Sequence, residues 1–200
     1  MATLTTNKPP VLNLPNLLTA SRLVLALLLF GVIASELWFC CVVVFALAAI
    51  TDWLDGYLAR KLGISSALGR NLDPLVDKVL ICGAYIFLIP FGQKDGWLVP
   101  WMVTVVVARE LIITSLRSFL ENQGATFGAD WLGKLKMGLQ CAALFAIFIY
   151  LSIATGVSEE SVLPIARTRD GLVWAMLAAT ALSGLQYLVR AALLLKSDMG

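Results

Sequence analysis

The sequence contains no histidine, and only 14% of its 200 residues are charged. The missing imidazole removes His-based triads and zinc sites that use His. Thiolate zinc sites go as well. Cys40, Cys41, Cys82 and Cys141 show no CxxC spacing and sit inside apolar runs, where cysteine packs as a small hydrophobe. A soluble domain carries roughly a quarter charged residues, so the shortage points away from a water-facing surface. The net charge of +2 is too small to suggest a nucleic-acid partner. The opening MATLTTNKPPVLNLPNLLTASR lacks the basic, apolar, small-residue order of a cleaved signal peptide, so the first apolar run reads as a permanent span. No internal repeat or low-complexity tract is present.

What the chain has instead is apolar length. It is 60% hydrophobic with a mean hydropathy of +0.87. A spanning helix needs about 20 mostly apolar residues, and six segments qualify: 17–34, 37–61, 73–90, 97–120, 132–154 and 171–195. The expected fold is an all-α integral membrane protein with six transmembrane helices in one domain, residues 1–200. Gly and Pro punctuate most connections, including Pro90 to Gly96 and Gly156 to Pro164.

Six spans put both termini on one side. That side holds Lys8, Arg22, Arg60, Lys61, Arg70, Lys78, Arg117, Lys134, Lys136 and Lys196, with Arg109 and Arg190 deeper in their helices. The opposite side holds Lys94, Arg167 and Arg169. The positive-inside rule then places both termini in the cytoplasm of a multi-pass protein.

Four acids stand out against this background. Asp52, Asp55, Asp73 and Asp77 lie between the apolar runs LWFCCVVVFALAAI and VLICGAYIFLIP. Counting from Leu37, roughly 22 Å of helix precedes Asp52 at about 1.5 Å per residue, which puts it in the inner leaflet. The chain is expected to turn through GISSALGRN and re-enter at Asp73. Spacings of three (Asp52, Asp55) and four (Asp73, Asp77) put each pair on one helix face.

Carboxylates at membrane depth are expensive and mark ion, proton or substrate sites. Four of them repel unless cations neutralise them, and oxygen-only donors favour Mg²⁺, Mn²⁺ or Ca²⁺. Two divalent ions balance four negative charges, a device that recurs in phosphoryl chemistry. Gly56 and Ala59 follow on the Asp52 face and leave space for a ligand, and Arg60 can partner a phosphate or carboxylate. The plainer reading is a set of helix-end aspartates paired with Arg60, Lys61, Arg70 and Lys78. A cation transporter is a further reading, but the acids cluster at one face and no repeated halves are visible.

Asp52-x2-Asp55-Gly56-x2-Ala59-Arg60-x8-Gly69-x3-Asp73-x3-Asp77 resembles the signature of the CDP-alcohol phosphotransferases at every fixed position. That resemblance implies a six-helix membrane enzyme that transfers a phosphatidyl or phosphoalcohol group from a CDP-linked donor to an alcohol and releases CMP. It implies that Asp52, Asp55, Asp73 and Asp77 bind two divalent cations, Mg²⁺ or Mn²⁺, with Asp77 also the general base. Gly56, Ala59, Arg60, Ser66 and Gly69 would lie along the cytidine diphosphate, and the stretch from Asn16 to Thr19 would also touch the donor. Members are commonly homodimers. The small residues of AMLAATALSG suit either such a seam or packing inside the monomer.

The acceptor has to be read elsewhere. Arg109 follows a largely apolar stretch from Trp97, too deep for a simple anchor, and Arg117, Lys134 and Lys136 lie on the same side. Such a cluster suits an anionic acceptor rather than choline or ethanolamine. Arg109 pairing with an acid on a neighbouring helix is the structural alternative. Glu110 is expected to face away from Arg109 and to share a face with Arg117. Lys134 and Lys136 also suit plain snorkelling anchors.

The segments NLPNLLTASR, VARELIITSLRSFLENQG, GKLKMGLQ and TRDGLVWAMLAATALSGLQYLVRA are similar to the bacterial branch of the family that makes phosphatidylglycerophosphate. This implies CDP-diacylglycerol as donor, sn-glycerol 3-phosphate as acceptor, and the bacterial inner membrane, with the active site facing the cytoplasm. Arg109, Arg117, Lys134 and Lys136 would then hold the acceptor phosphate. Phosphatidylglycerol, inositol phosphate and serine remain as the acceptors of sister enzymes.

Overall fold

The computed structural model describes residues 14–62, 67–122, 131–154, 156 and 159–197, with side chains for 20–52, 54, 75–120, 131–154, 156 and 160–193. Among the described residues there are six α-helices and no strand: α1 (Leu14–Ala34), α2 (Trp38–Leu62), α3 (Ala67–Gln93), α4 (Pro100–Asn122), α5 (Trp131–Ala154) and α6 (Glu159–Ser197). Helix is the natural state for such runs, because each backbone polar group is satisfied within its own segment.

Apolar side chains surround most helices, and one stripe of each turns inward. Ala26, Leu29 and Ile33 of α1 meet Cys41, Val44, Phe45 and Ala48 of α2 in the core. Ile81, Ala84, Tyr85 and Leu88 of α3 and Ala143, Leu144, Ile147 and Phe148 of α5 complete it, at the three- and four-residue spacings of a helix face. The opposite faces stay apolar and exposed: Val24, Leu27 and Leu28 on α1, Phe39, Leu47 and Ile50 on α2, and Leu182, Leu185 and Leu193 on α6. A water-soluble monomer rarely exposes so much contiguous apolar surface, whereas lipid accepts it.

Three helical stretches are long and apolar enough to cross a membrane, Leu75–Gln93, Trp131–Ala154 and Glu160–Leu193, among the described residues. Ala20–Ala34 and Trp38–Asp52 are shorter apolar stretches. The second half of α4 carries Arg109, Glu110 and Arg117, which lowers its hydropathy.

Two helix starts differ from the sequence expectation. The last helix begins at Glu159 instead of near 171 and runs through Pro164. Glu160 in its first turn complements the helix dipole, so a segment that reads as a polar connection is already helical. The third begins at Ala67, which puts Gly69 and Arg70 on α3; residues 63–66 of the expected turn lie outside the described residues.

Close approaches fix the bundle. At Gly83 a Cβ would run into the Phe30 ring, and Phe30 stacks on Phe87 with centroids 5.1 Å apart. This locks α1 onto α3. At the opposite end, Arg169 lies over the rings of Tyr150 (3.9 Å) and Trp97 (4.6 Å) and pairs with Asp170 at 2.8 Å. A residue expected in an outer loop is thus a buried cation–π tie between α5, α6 and the turn before α4. In α6, Ala179, Thr180, Ser183 and Gly184 are buried within the monomer, while Ala178 and Ala181 are exposed.

The α1–α2 turn is the tightest connection. Glu36 has φ 56°, and Glu36 N–H donates to Ile33 O (3.0 Å) while Leu37 N–H donates to Val32 O (3.2 Å). These bonds form a Schellman C-cap with glutamate where glycine is usual. A left-handed non-glycine residue costs roughly 1–2 kcal/mol. Glu36→Gly should therefore raise the melting temperature in detergent by about 2–4 °C, and Glu36→Val should lower it. Equal melting of the two variants contradicts this reading of the turn.

Candidate functional site

Helix geometry brings three polar residues together at one end of the core. Arg22 on α1 is 4% exposed. Its guanidinium contacts Asp52 Oδ1 on α2 at 3.2 Å through one terminal nitrogen and Asp77 Oδ1 on α3 at 2.8 Å through the other. A guanidinium cannot lose its proton, and a buried charge without a partner costs several kcal/mol. The two carboxylates are therefore what permits Arg22 to be buried. In return, the arginine holds acids of two different helices at one point.

Asp55 and Asp73 are on α2 and α3, one turn from Asp52 and Asp77 respectively, but their side chains lie outside the described residues. So do the side chains of Asn16, Thr19, Gly56, Ala59, Arg60 and Gly69, and Ser66 entirely. Among the described residues no group of three or more His, Cys, Asp or Glu could hold a metal ion. The donor chemistry still fits one. Asp52 and Asp77 present their oxygens to a single cationic group, and hard oxygen donors without imidazole or thiolate match Mg²⁺ or Mn²⁺. The charge distribution along the sequence marks Arg22 only as one more inner-face cation, although a lone arginine inside LLTASRLVLALLLF is a signal of a buried partner.

Asp77 has a second neighbourhood. A small cavity of about 50 Å³ is lined by Arg22, Ala48, Asp52, Asp77 and Cys141 among others. A larger one of about 250 Å³ is lined by Asp77, Lys78, Ile81, Cys82, Glu110, Lys136, Met137 and Gln140. Asp77 belongs to both walls.

The larger cavity is built around a buried acid. Glu110 of α4 forms an ion pair with Lys136 of α5, both buried, and takes a second contact from Arg109 Nη1 at 3.4 Å. The expectation that Glu110 faces away from Arg109 is corrected here: both side chains are long enough to meet along the helix surface. Gly184 of α6 makes this possible, since a Cβ there would stand 3.1 Å from Arg109 Cγ. Lys78 of α3 donates to Thr114 Oγ1 of α4, and the Thr114 hydroxyl donates to Glu110 O. Tyr85 of α3 donates to the Gln140 carbonyl of α5 at 2.8 Å. The cavity thus has walls from three helices, each tied to another by a polar contact.

Of the four expected acceptor-side cations, Lys136 lines this cavity. Arg109 stands behind Glu110, and Arg117 and Lys134 are exposed on α4 and α5. Lys136 is no snorkelling anchor, because its ammonium is buried against Glu110. Lys78, Glu110 and Gln140 join the site without having been singled out from the sequence. A charge one residue from a signature aspartate and a Glu next to an Arg both read as ordinary salt-bridge partners there.

Comparison with known proteins settles the family. The model of the CDP-alcohol phosphatidyltransferase domain matches residues 12–182. The chain belongs to the CDP-alcohol phosphatidyltransferase family.

Within this family the chain is similar to several bacterial proteins named CDP-diacylglycerol–glycerol-3-phosphate 3-phosphatidyltransferase. One from Bacillus subtilis is 40% identical over 108 residues, 54% of this chain and 54% of that protein. One from Pectobacterium atrosepticum is 36% identical over 142 residues, 68% of this chain and 76% of its own length. One from Escherichia coli K12 is 35% identical over 137 residues, 66% and 74%. The match therefore spans about half the length of the Bacillus phosphatidyltransferase and more of the other two.

The buried Glu110–Lys136 pair makes a direct prediction. Lys136→Met removes the closer of the two cations on the buried Glu110 carboxylate, leaving Arg109 at 3.4 Å, and should cost up to about 3–5 kcal/mol, visible as a fall in the melting temperature in detergent. Adding Glu110→Gln should recover part of that loss. A double variant no more stable than Lys136→Met shows that the two charges do not depend on one another.

Proposed function

We propose that the protein transfers the phosphatidyl group of CDP-diacylglycerol to sn-glycerol 3-phosphate, giving phosphatidylglycerophosphate and CMP. The observation that carries this reading is the position of Asp77, shared between the Arg22–Asp52 cavity and the cavity lined by Lys78, Glu110 and Lys136. A carboxylate lining two such spaces supports a reading with the donor on one side and the acceptor on the other. The names of the relatives point to the same pair of substrates.

In this mechanism Asp52, Asp55, Asp73 and Asp77 hold two divalent cations, Mg²⁺ or Mn²⁺. Bound there, such ions supply charge neutralisation for the pyrophosphate and the departing CMP. Asn16, Thr19, Gly56, Ala59, Arg60, Ser66 and Gly69 line the donor. Lys136, with Arg109, Arg117 and Lys134 as further cations of the same inner end, holds the acceptor phosphate. Asp77 accepts the proton of the acceptor hydroxyl. The freed oxygen bonds to the phosphorus that carries the diacylglycerol, and the bond from that phosphorus to the CMP oxygen breaks. CMP leaves with the electron pair.

The larger cavity, about 250 Å³, suits a small polyol phosphate, and its two ammonium groups suit an anion. Six crossings with both termini and this site at the cytoplasmic face of a bacterial inner membrane, in a homodimer, complete the proposal. That arrangement lets a lipid-anchored donor meet a water-soluble acceptor.

The purified protein should release CMP from CDP-diacylglycerol when given sn-glycerol 3-phosphate with Mg²⁺ or Mn²⁺. It should do so neither with inositol phosphate, serine or phosphatidylglycerol, nor in EDTA. Asp77→Asn should lower kcat by about 10²–10⁴. Stimulation by inositol phosphate alone would sink the acceptor assignment, and unchanged turnover in Asp77→Asn would sink the base.

A further inference from the structure

We propose that Gln140 reads the secondary hydroxyl of the acceptor, which makes it a specificity residue for the reaction. The inference rests on the acceptor reading above and deepens it. Gln140 is 2% exposed and lines the larger cavity. Its Nε2 is buried and has no acceptor among the described residues. A buried amide donor without a partner is costly, and folded proteins keep such groups for a ligand or an ordered water.

The backbone of Gln140 is fixed by a different bond. The hydroxyl of Tyr85, itself fully buried, donates to the Gln140 carbonyl at 2.8 Å. This pins that turn of α5 against α3, beside the cavity that Gln140 lines. Lys78, Glu110 and Lys136 form its charged part, and Asp77 is the group to which the reacting hydroxyl must come. A three-carbon phosphate that gives its phosphate to the ammonium groups and its terminal hydroxyl to Asp77 spans the space between them with its middle carbon. The hydroxyl on that carbon needs one donor from the wall. Among the residues lining the cavity, Gln140 is the uncharged side chain with an amide N–H to give, and that N–H has no acceptor among the described residues.

A site that hydrogen-bonds a substrate hydroxyl discriminates against the analogue that lacks it, because the polar group is then left unpaired. The test compares sn-glycerol 3-phosphate with 3-hydroxypropyl phosphate, the same chain without the secondary hydroxyl, by CMP release from CDP-diacylglycerol in detergent micelles. The unsubstituted protein should favour sn-glycerol 3-phosphate in kcat/KM by about tenfold or more. In Gln140→Leu the preference should fall to within about twofold, through a raised KM for sn-glycerol 3-phosphate and an unchanged KM for the analogue. Gln140→Asn keeps an amide but withdraws it, and should behave in the same direction if the Leu variant does not fold.

A tenfold preference that survives in a folded Leu or Asn variant overturns the role of Gln140, as does an unsubstituted protein that treats the two acceptors alike. An unsubstituted protein that releases no CMP with sn-glycerol 3-phosphate overturns the acceptor reading itself, and this inference falls with it.

Discussion

The site depends first on one buried cation. Arg22 enters from α1 and bridges Asp52 of α2 and Asp77 of α3, so three helices share a single electrostatic constraint. Apolar packing alone brings α1, α2 and α3 together, through Leu29, Ile33, Phe45 and Leu80 among others. A guanidinium with two fixed nitrogens adds a directional constraint to that packing, because its planar fork donates to carboxylates in few arrangements. Asp52 and Asp77 are thus held in register by a residue from a helix outside the signature.

Asp77 is where this constraint meets the proposed chemistry. One face of the carboxylate is turned to Arg22 and Asp52, and the same residue lines the cavity beyond. There Glu110 keeps Lys136 and Arg109 in place by charge, Thr114 holds Lys78, and Tyr85 fixes Gln140. The cavity wall mixes apolar side chains with a few polar groups, and those polar groups are each tied to another helix. A pocket of this kind exchanges solvation by water for fixed dipoles and charges at little reorganisation.

Much of this was legible in the sequence, for physical reasons that differ by element. Long apolar runs have few alternatives to helix in lipid, so the helices and their order could be read directly. The aspartate spacing could be read because a helix turns Asp52 and Asp55, or Asp73 and Asp77, to one side whatever surrounds them. Side-chain pairing was less accessible. Arg22 and Lys78 read as members of a one-sided charge distribution and Glu110 as a neighbour of Arg117 on its own helix, and only packing between helices shows which of them are buried and against what. The start of α6 was hidden because Glu159 to Asp170 is polar enough to pass for a loop, yet continues the same helix. Gln140 was invisible for a simpler reason: an amide in an apolar run carries no sign of its partner.

The central claim is that donor and acceptor meet across Asp77 in one direct displacement, without a covalent phosphatidyl–enzyme intermediate. CDP-diacylglycerol made chiral at the reacting phosphorus with a single sulfur substitution tests it most directly. A single in-line attack predicts that the product carries the inverted configuration at that phosphorus. Retention of configuration would require two displacements, and would contradict the account.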